Sequence, residues 1–422
     1  MTKENWKRQF SIIYAGQAFS ILGSSAVQFA LVWWLTTRYG SGNVLAQAMI
    51  AGFLPSIVLG FFAGVWVDRY NRKTVMIAAD GLVALSSALI GIAFWALQEP
   101  PLWMIYGALA LRGVGGAFHS PAMQAAIPLL VPEDMLTKAG GWGNLIVSAG
   151  TLLGPVLGAL LISVMPVAPI MLVDILGAAF AIVSLLFVAI PDLPATTEKP
   201  RILDDFKDGF RAMRNNRPLM AVLPSMVLAV LVYMPLGALY PLLVRAHFLG
   251  EAWHNGVVEF VFAAGMAISS LVMGLWGGSK KRFLTISLAI FVLGLTSALS
   301  GALPPEAFWL FAALCFPMGA TGTFLMVPLN AYVQATVAPE MMGKVFSLMM
   351  TAMSLATPFG LFLSGPLSDV IGVDKWFLYS GALMVVIALY CYLTTRRYDI
   401  EAVKSPDGEQ GIEEPHPTKE GA

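Results

Sequence analysis

GFFAGVWVDRYNRK, residues Gly60 to Lys73, joins the end of one long apolar run to the start of the next. Gly60 and Gly64 stand four apart, the small-xxx-small spacing that lets two membrane helices approach closely. Asp68, Arg69, Arg72 and Lys73 follow at once, where hydrocarbon should give way to water and long basic side chains can reach the interface. An ordinary basic loop requires neither the glycine spacing nor an acid among its bases. The stretch therefore reads as a connection that holds helices together. Gly64, Asp68, Arg69, Arg72 and Lys73 become gating candidates.

The rest of the chain agrees with a membrane setting. Hydrophobic residues make up 58% of 422 positions and charged residues 12%, far from the balance of a soluble globular protein. A span needs about 20 apolar residues. Twelve runs qualify, near 10–37, 44–67, 74–96, 102–130, 142–164, 168–190, 219–245, 257–277, 283–303, 307–336, 345–368 and 375–394. The expected fold is an all-α polytopic membrane protein. The first run follows only Lys3, Lys7 and Arg8 and lacks a small-residue cleavage site, so it reads as a retained helix. With both termini placed in the cytoplasm, 21 of the 25 Lys and Arg fall on the inside, as the positive-inside rule requires.

Several function classes drop out. Net charge is zero, so no global basic field argues for nucleic acid. Cys315 and Cys391 both sit in apolar runs, offer no disulfide framework or metal spacing, and read as packing residues. No phosphate-cradling GxxxxGK[ST] loop, HExxH or nucleophile elbow occurs. The chain is not expected to be an enzyme or to hold a cofactor, and its energy source is a gradient instead of bound ATP.

The organisation is two-fold. Pro191 to Pro218 is the longest hydrophilic interruption and splits the spans six and six. This predicts a first half over 1–190, a central cytoplasmic loop over 191–218, a second half over 219–394 and a disordered tail over 395–422. Within the loop, Leu203, Phe206, Phe210 and Met213 recur at three- and four-residue spacing among charges, the pattern of a helix lying on the membrane surface. Gly64, Trp66 and Arg72 recur as Gly274, Trp276 and Arg282 at an offset of 210, with Gly278 where a second Asp68 would stand. Pro121, Pro132 and Glu133 recur as Pro328, Pro339 and Glu340 at an offset of 207. Duplicated halves suit a transporter, because a site between them can face either side as they rock.

The motif at Gly64 to Lys73, with its acid four residues after the glycine, resembles the signature between the second and third helices of the major facilitator superfamily. Span five carries Gly150, Gly154, Pro155 and Gly158. The glycines permit close packing and the proline removes a helical hydrogen bond, which suits a helix that flexes where the halves meet; a generic close-packing helix is the alternative. The same pattern is similar to the antiporter signature of the superfamily's drug exporters, with Ala159 where a further glycine is usual. In span four, Arg112 before Gly113, Gly115 and Gly116 resembles the arginine motif of those exporters.

Charges inside spans are costly and point to function. Arg112 and three acids, Asp80, Asp174 and Glu259, are the proton-coupling candidates. The resemblance implies that the first, fourth, seventh and tenth spans line the cavity and the second, fifth, eighth and eleventh flank it. Glu259 in span eight then ranks first, and Asp80 and Asp174 read as packing partners or reserve carriers. Its alternative is a capping acid in water about a turn inside its span. Arg112, Gly116, His119 and Met123 share a helical face. Gln17, Ser20, Ser24 and Gln28 form a polar stripe on span one that must face protein or water. Shorter stripes come from Tyr233 and Tyr240, and from Thr323 and Asn330. The substrate-binding candidates are Gln17, Ser24, Gln28, His119, Tyr233, Tyr240 and Asn330, with the 22 methionines either an adaptable apolar surface or plain packing.

YAGQAFS (Tyr14 to Ser20), the stretch from Phe118 to Gly141 and that from Lys344 to Leu378 are similar to bacterial macrolide-efflux proteins, a branch of the proton-driven drug exporters. The resemblance implies a multi-pass protein of the bacterial cytoplasmic membrane, a monomer in the simplest case, that exports a small amphipathic drug in exchange for protons. Siderophores, tetracycline-like compounds and peptides are the alternative cargoes. A proton-coupled importer would have less reason for the span-five pattern, and a sensor would need a soluble output domain that these loops are too short to hold.

Overall fold

The computed structural model describes residues 5–191 and 202–404; within it, the side chains of Gly64, Asp68 and Arg69 lie outside the described residues. The described residues form thirteen α-helices. The first half holds α1 (Asn5–Tyr39), α2 (Gly42–Arg69), α3 (Arg72–Leu97), α4 (Leu102–Leu130), α5 (Leu136–Val164) and α6 (Val167–Leu186). The short α7 (Ile202–Asn215) follows, then α8 (Arg217–Leu242), α9 (Ala252–Trp276), α10 (Arg282–Ala302), α11 (Phe308–Thr336), α12 (Pro339–Ile371) and α13 (Val373–Lys404). Twelve helices are long enough to cross a bilayer, and eleven are also apolar enough by composition. The exception is α4, the helix of Arg112 and His119. Its polar residues lower the mean hydropathy because one face meets a cavity instead of lipid.

The same pairings occur in both halves. In the first, α1 packs on α5 and α6, α2 on α4, and α3 on α4 and α6. In the second, α8 packs on α12 and α13, α9 on α11, and α10 on α11 and α13. One contact shows the depth of the repeat. A Cβ on Gly113 would lie 2.2 Å from the carbonyl oxygen of Gly52, and one on Gly319 would lie 1.9 Å from that of Phe262. Only glycine admits such backbone approach, so both seams are glycine-dependent. The halves meet along two seams, α2 with α12 and α5 with α9, which exchange under the same pseudo-two-fold.

Differences from the sequence reading lie at the edges. The last helix continues to Lys404 instead of ending at 394, because Asp399 accepts from the backbone N–H of Phe283 (3.2 Å) and Leu284 (2.7 Å) and so caps α10. The predicted disorder of the final stretch, 405–422, lies outside the described residues. The predicted surface helix is α7; Phe206 and Phe210 are exposed, while Gly209 abuts Lys344 and Leu348 of α12, and Lys344 Nζ donates to Asp208 Oδ2 at 3.1 Å. Cys315 and Cys391 are buried free thiols, as their apolar settings suggest.

Candidate functional site

Between the halves lies a cavity of about 1030 Å³, walled by residues of both. The polar stripe of α1 faces it through Gln17, Ser20, Ser24 and Gln28. Asp80 of α3 and Arg112 and His119 of α4 add to the polar side of the first half, and Pro155 of α5 lines it as well. The second half contributes Tyr233 and Tyr240 of α8 and Glu259 of α9. Met49, Met226, Met234, Met266, Met318 and Met326 line it as well, so the adaptable surface that methionine can provide is placed on the cavity wall. Phe29 and Phe262 add flat apolar area that spacing alone did not single out.

Two acid networks sit in the first half. Asp174 of α6 is wholly buried and forms an ion pair with Arg112. It also accepts from Ser24 Oγ at 2.6 Å and Ser87 Oγ at 2.5 Å, while Arg112 donates to Ser87 Oγ at 3.0 Å and the Ser24 carbonyl at 3.2 Å. A buried charge that is paired and multiply hydrogen-bonded meets its desolvation cost locally. Four helices are tied together by this knot. The second network is looser: Gln17 Nε2 donates to Asp80 Oδ2 at 3.3 Å, and His119 Nε2 stands 3.6 Å from Asp80 Oδ1.

These geometries revise several expectations. Asp174 does not line the cavity; it stands behind Arg112, because α6 packs outside α1 and α3. Arg112 is thereby paired within its own half. Glu259 lines the cavity, partly buried, and accepts from Asn255 Nδ2 at 3.0 Å, two turns into a helix whose N-cap is Glu251. Asn330 is absent from the wall: the cavity's lining on α11 ends at Met326, one turn earlier. Of the gating candidates, Arg72 is buried and Lys73 Nζ donates to the carbonyls of Leu186 (3.2 Å) and Val188 (2.9 Å), clamping the end of α6 in the same half. Gly64, Asp68 and Arg69 are named in the sequence but their side chains lie outside the described residues.

The span-five pattern also resolves differently. A Cβ on Gly150 would fall 2.4 Å from Ile21 Cγ2, on Gly154 2.1 Å from Ser25 Cβ, and on Gly158 2.5 Å from the Ala26 carbonyl oxygen. The glycine face therefore packs on α1 within one half. It is Pro155 and Ala159 that meet the other half, where a Cβ on Gly256 of α9 would sit 2.9 Å from Ala159 Cβ. The residue that departs from the glycine pattern is the one at the seam. Replacing Gly154 by leucine should thus overpack the α1 contact, costing about 1–3 kcal/mol or more, and block transport. Unchanged export by a properly inserted Gly154→Leu protein overturns that.

The sequence model of the Major Facilitator Superfamily matches residues 13–258 and 246–417. The chain belongs to the Major Facilitator Superfamily. It is a multi-pass membrane transporter and not an enzyme. Macrolide efflux protein A of Streptococcus pyogenes is 40% identical over 390 residues, covering 92% of this chain and 96% of that protein. Macrolide efflux protein A of Enterococcus faecalis is 39% identical over 325 residues, 76% of this chain and 100% of the relative. The multidrug efflux pump Tap of Mycobacterium tuberculosis is 25% identical over 391 residues, with 90% and 91% covered. A POT family transporter solved with 5-aminolevulinic acid superposes with a TM-score of 0.70 at 14% identity, over 92% of this chain and 96% of that one. A bacterial homologue of the lysosomal transporter Spinster, solved inward-facing and unoccupied, gives 0.66 at 12% identity over 96% and 98%. These two likenesses establish the shared fold.

Proposed function

We propose that this chain exports amphipathic drugs, macrolides foremost, from the bacterial cytoplasm in exchange for protons. The observation that carries the reading is the cavity. At about 1030 Å³ it stands at the upper end of the ~300–1,000 Å³ usual for small-molecule sites, and it combines a methionine and aromatic surface with one acid, Glu259, on the second half's wall. The 40% identity to a macrolide efflux protein over 92% of the chain supports the same cargo.

The proton part rests on Glu259. Ionised, it holds a basic drug; protonated, it lets the drug go, so one site serves both ligands in turn. The Arg112–Asp174 pair ties the helices of the opposite wall together. The bias of 21 basic residues toward one side supports cytoplasmic termini in the cytoplasmic membrane. Energy comes from the gradient and no cofactor is used. The working unit is a monomer, since both walls of the cavity come from one chain.

Drug susceptibility of an exporter-deficient bacterium expressing this chain tests the reading across macrolides, siderophores, tetracyclines, peptides and unrelated amphipathic compounds. Macrolide resistance that disappears with an uncoupler is expected. Unchanged macrolide susceptibility in cells that insert the protein overturns the cargo assignment, and resistance that survives gradient collapse overturns the proton assignment. Asp68, at the inner edge, acts in gating: Asp68→Asn should abolish export and leave drug binding in purified protein intact. Lost binding with normal conformational exchange would place Asp68 in the drug site instead.

A further inference from the structure

Among hydrogen bonds between described residues, those that join the two halves all end on one carboxylate. Asp369, near the end of α12, accepts from Ser41 Oγ at 2.6 Å, from the Gly42 backbone N–H at 2.5 Å and from the Asn43 backbone N–H at 3.2 Å. Ser41 is the N-cap of α2 and already accepts from Val44 N–H at 3.3 Å. Asp369 takes two further N–H groups that the serine cannot reach, and its negative charge sits at the positive end of the helix. We propose that Asp369 is the lock of the outer gate and must release α2 each time the cavity opens at that end.

Three features make this a lock and not a fixed joint. The backbones touch beside it: a Cβ on Gly42 would lie 2.0 Å from Ser368 Oγ, and one on Gly365 2.9 Å from the Asn43 Cα. Farther along, the same two helices part around an apolar cleft of about 440 Å³ between Ile57 and Phe62 of α2 and Leu355 and Phe359 of α12. The seam is thus shut at the end that carries Asp369 and loose toward the other. Release is also cheap to accommodate. Ser41 stays behind as α2's own cap, and Asp369 is exposed, so water replaces the lost bonds. The symmetry-related seam, α5 with α9, has no hydrogen bond between described residues and closes by packing of Ala159 on Gly256. One carboxylate therefore holds this end shut.

The inference rests on the transport reading only in assuming that the cavity alternates, and it is read without any drug. Spin labels at Trp103 and Glu306, exposed at this end in opposite halves, report the outer separation in lipid nanodiscs; the two native cysteines are buried and leave little background labelling. Asp369→Ala is expected to raise the population at longer distance by at least about tenfold, the shift produced by losing one charge-assisted bond. Asp369→Asn, which keeps the size and loses the charge, should give a smaller shift in the same direction and carries the test if the alanine variant does not fold. Distance distributions equal to the parent's in the asparagine variant, or in both, overturn the lock. A shift in a protein that exports no drug leaves the lock standing and removes the cargo assignment instead.

Discussion

Glu259→Gln should abolish concentrative drug transport in proteoliposomes while preserving downhill exchange and the binding of neutral drugs. The amide keeps the size of the side chain and can still meet Asn255, whose Nδ2 lies 3.0 Å from the present carboxylate. What it loses is the ability to exist in two charge states within the cavity. Exchanging one proton for one cationic drug moves no net charge, so the pH gradient does the work: each pH unit supplies about 1.4 kcal/mol, which corresponds to roughly tenfold accumulation. Without a titrating group the ratio should fall to about one at any imposed gradient, whereas equilibrium binding of a neutral drug should stay within a few-fold of the parent's. A Glu259→Gln protein that still concentrates drug with unaltered pH dependence removes Glu259 from the role. Asp80, the other acid on the wall, then becomes the carrier to test.

The second large effect is one of stability. Asp174→Ala leaves the partly buried Arg112 without its carboxylate and strands the hydroxyls of Ser24 and Ser87, so a loss of up to about 3 kcal/mol is expected. Arg112→Met should cost more, about 3–5 kcal/mol, since it strands a fully buried acid. The double variant Arg112→Met with Asp174→Leu removes both charges and should recover most of that stability, because each penalty came from the unpaired partner. Thermal unfolding of the three purified proteins checks this. Singles within about 1 kcal/mol of the parent would show that the pair contributes little. Transport by the restored double variant then separates the two roles. If the pair only ties helices together, export returns with stability; if Arg112 also shapes the cavity's field, export stays low in a stable protein.

Much of this architecture is written in local sequence. Twelve apolar runs, the polar stripe from Gln17 to Gln28 and the recurrence of Gly64 with Trp66 at Gly274 with Trp276 depend only on spacing and hydropathy, which are fixed by the chain itself. Periodicity says which residues share a face. It does not say which neighbour that face meets, because the rotation of each helix is set by packing against others far away in sequence. Hence Arg112, which spacing placed only on a face with Gly116 and His119, found its partner in Asp174, 62 residues on and behind the wall. The glycines of span five looked suited to the seam between halves and instead pack on α1, while Ala159 meets α9. Asn330, placed near the drug by its stripe, falls outside the lining. Asp369 gave no signal at all: one acid at the end of a span resembles any interfacial acid until α2, more than 300 positions earlier, is folded against it. Composition and period determined the spans, their number and their two-fold repeat, whereas the partners of each charge were decided by tertiary packing, since a desolvated charge is governed by what lies within a few ångströms of it.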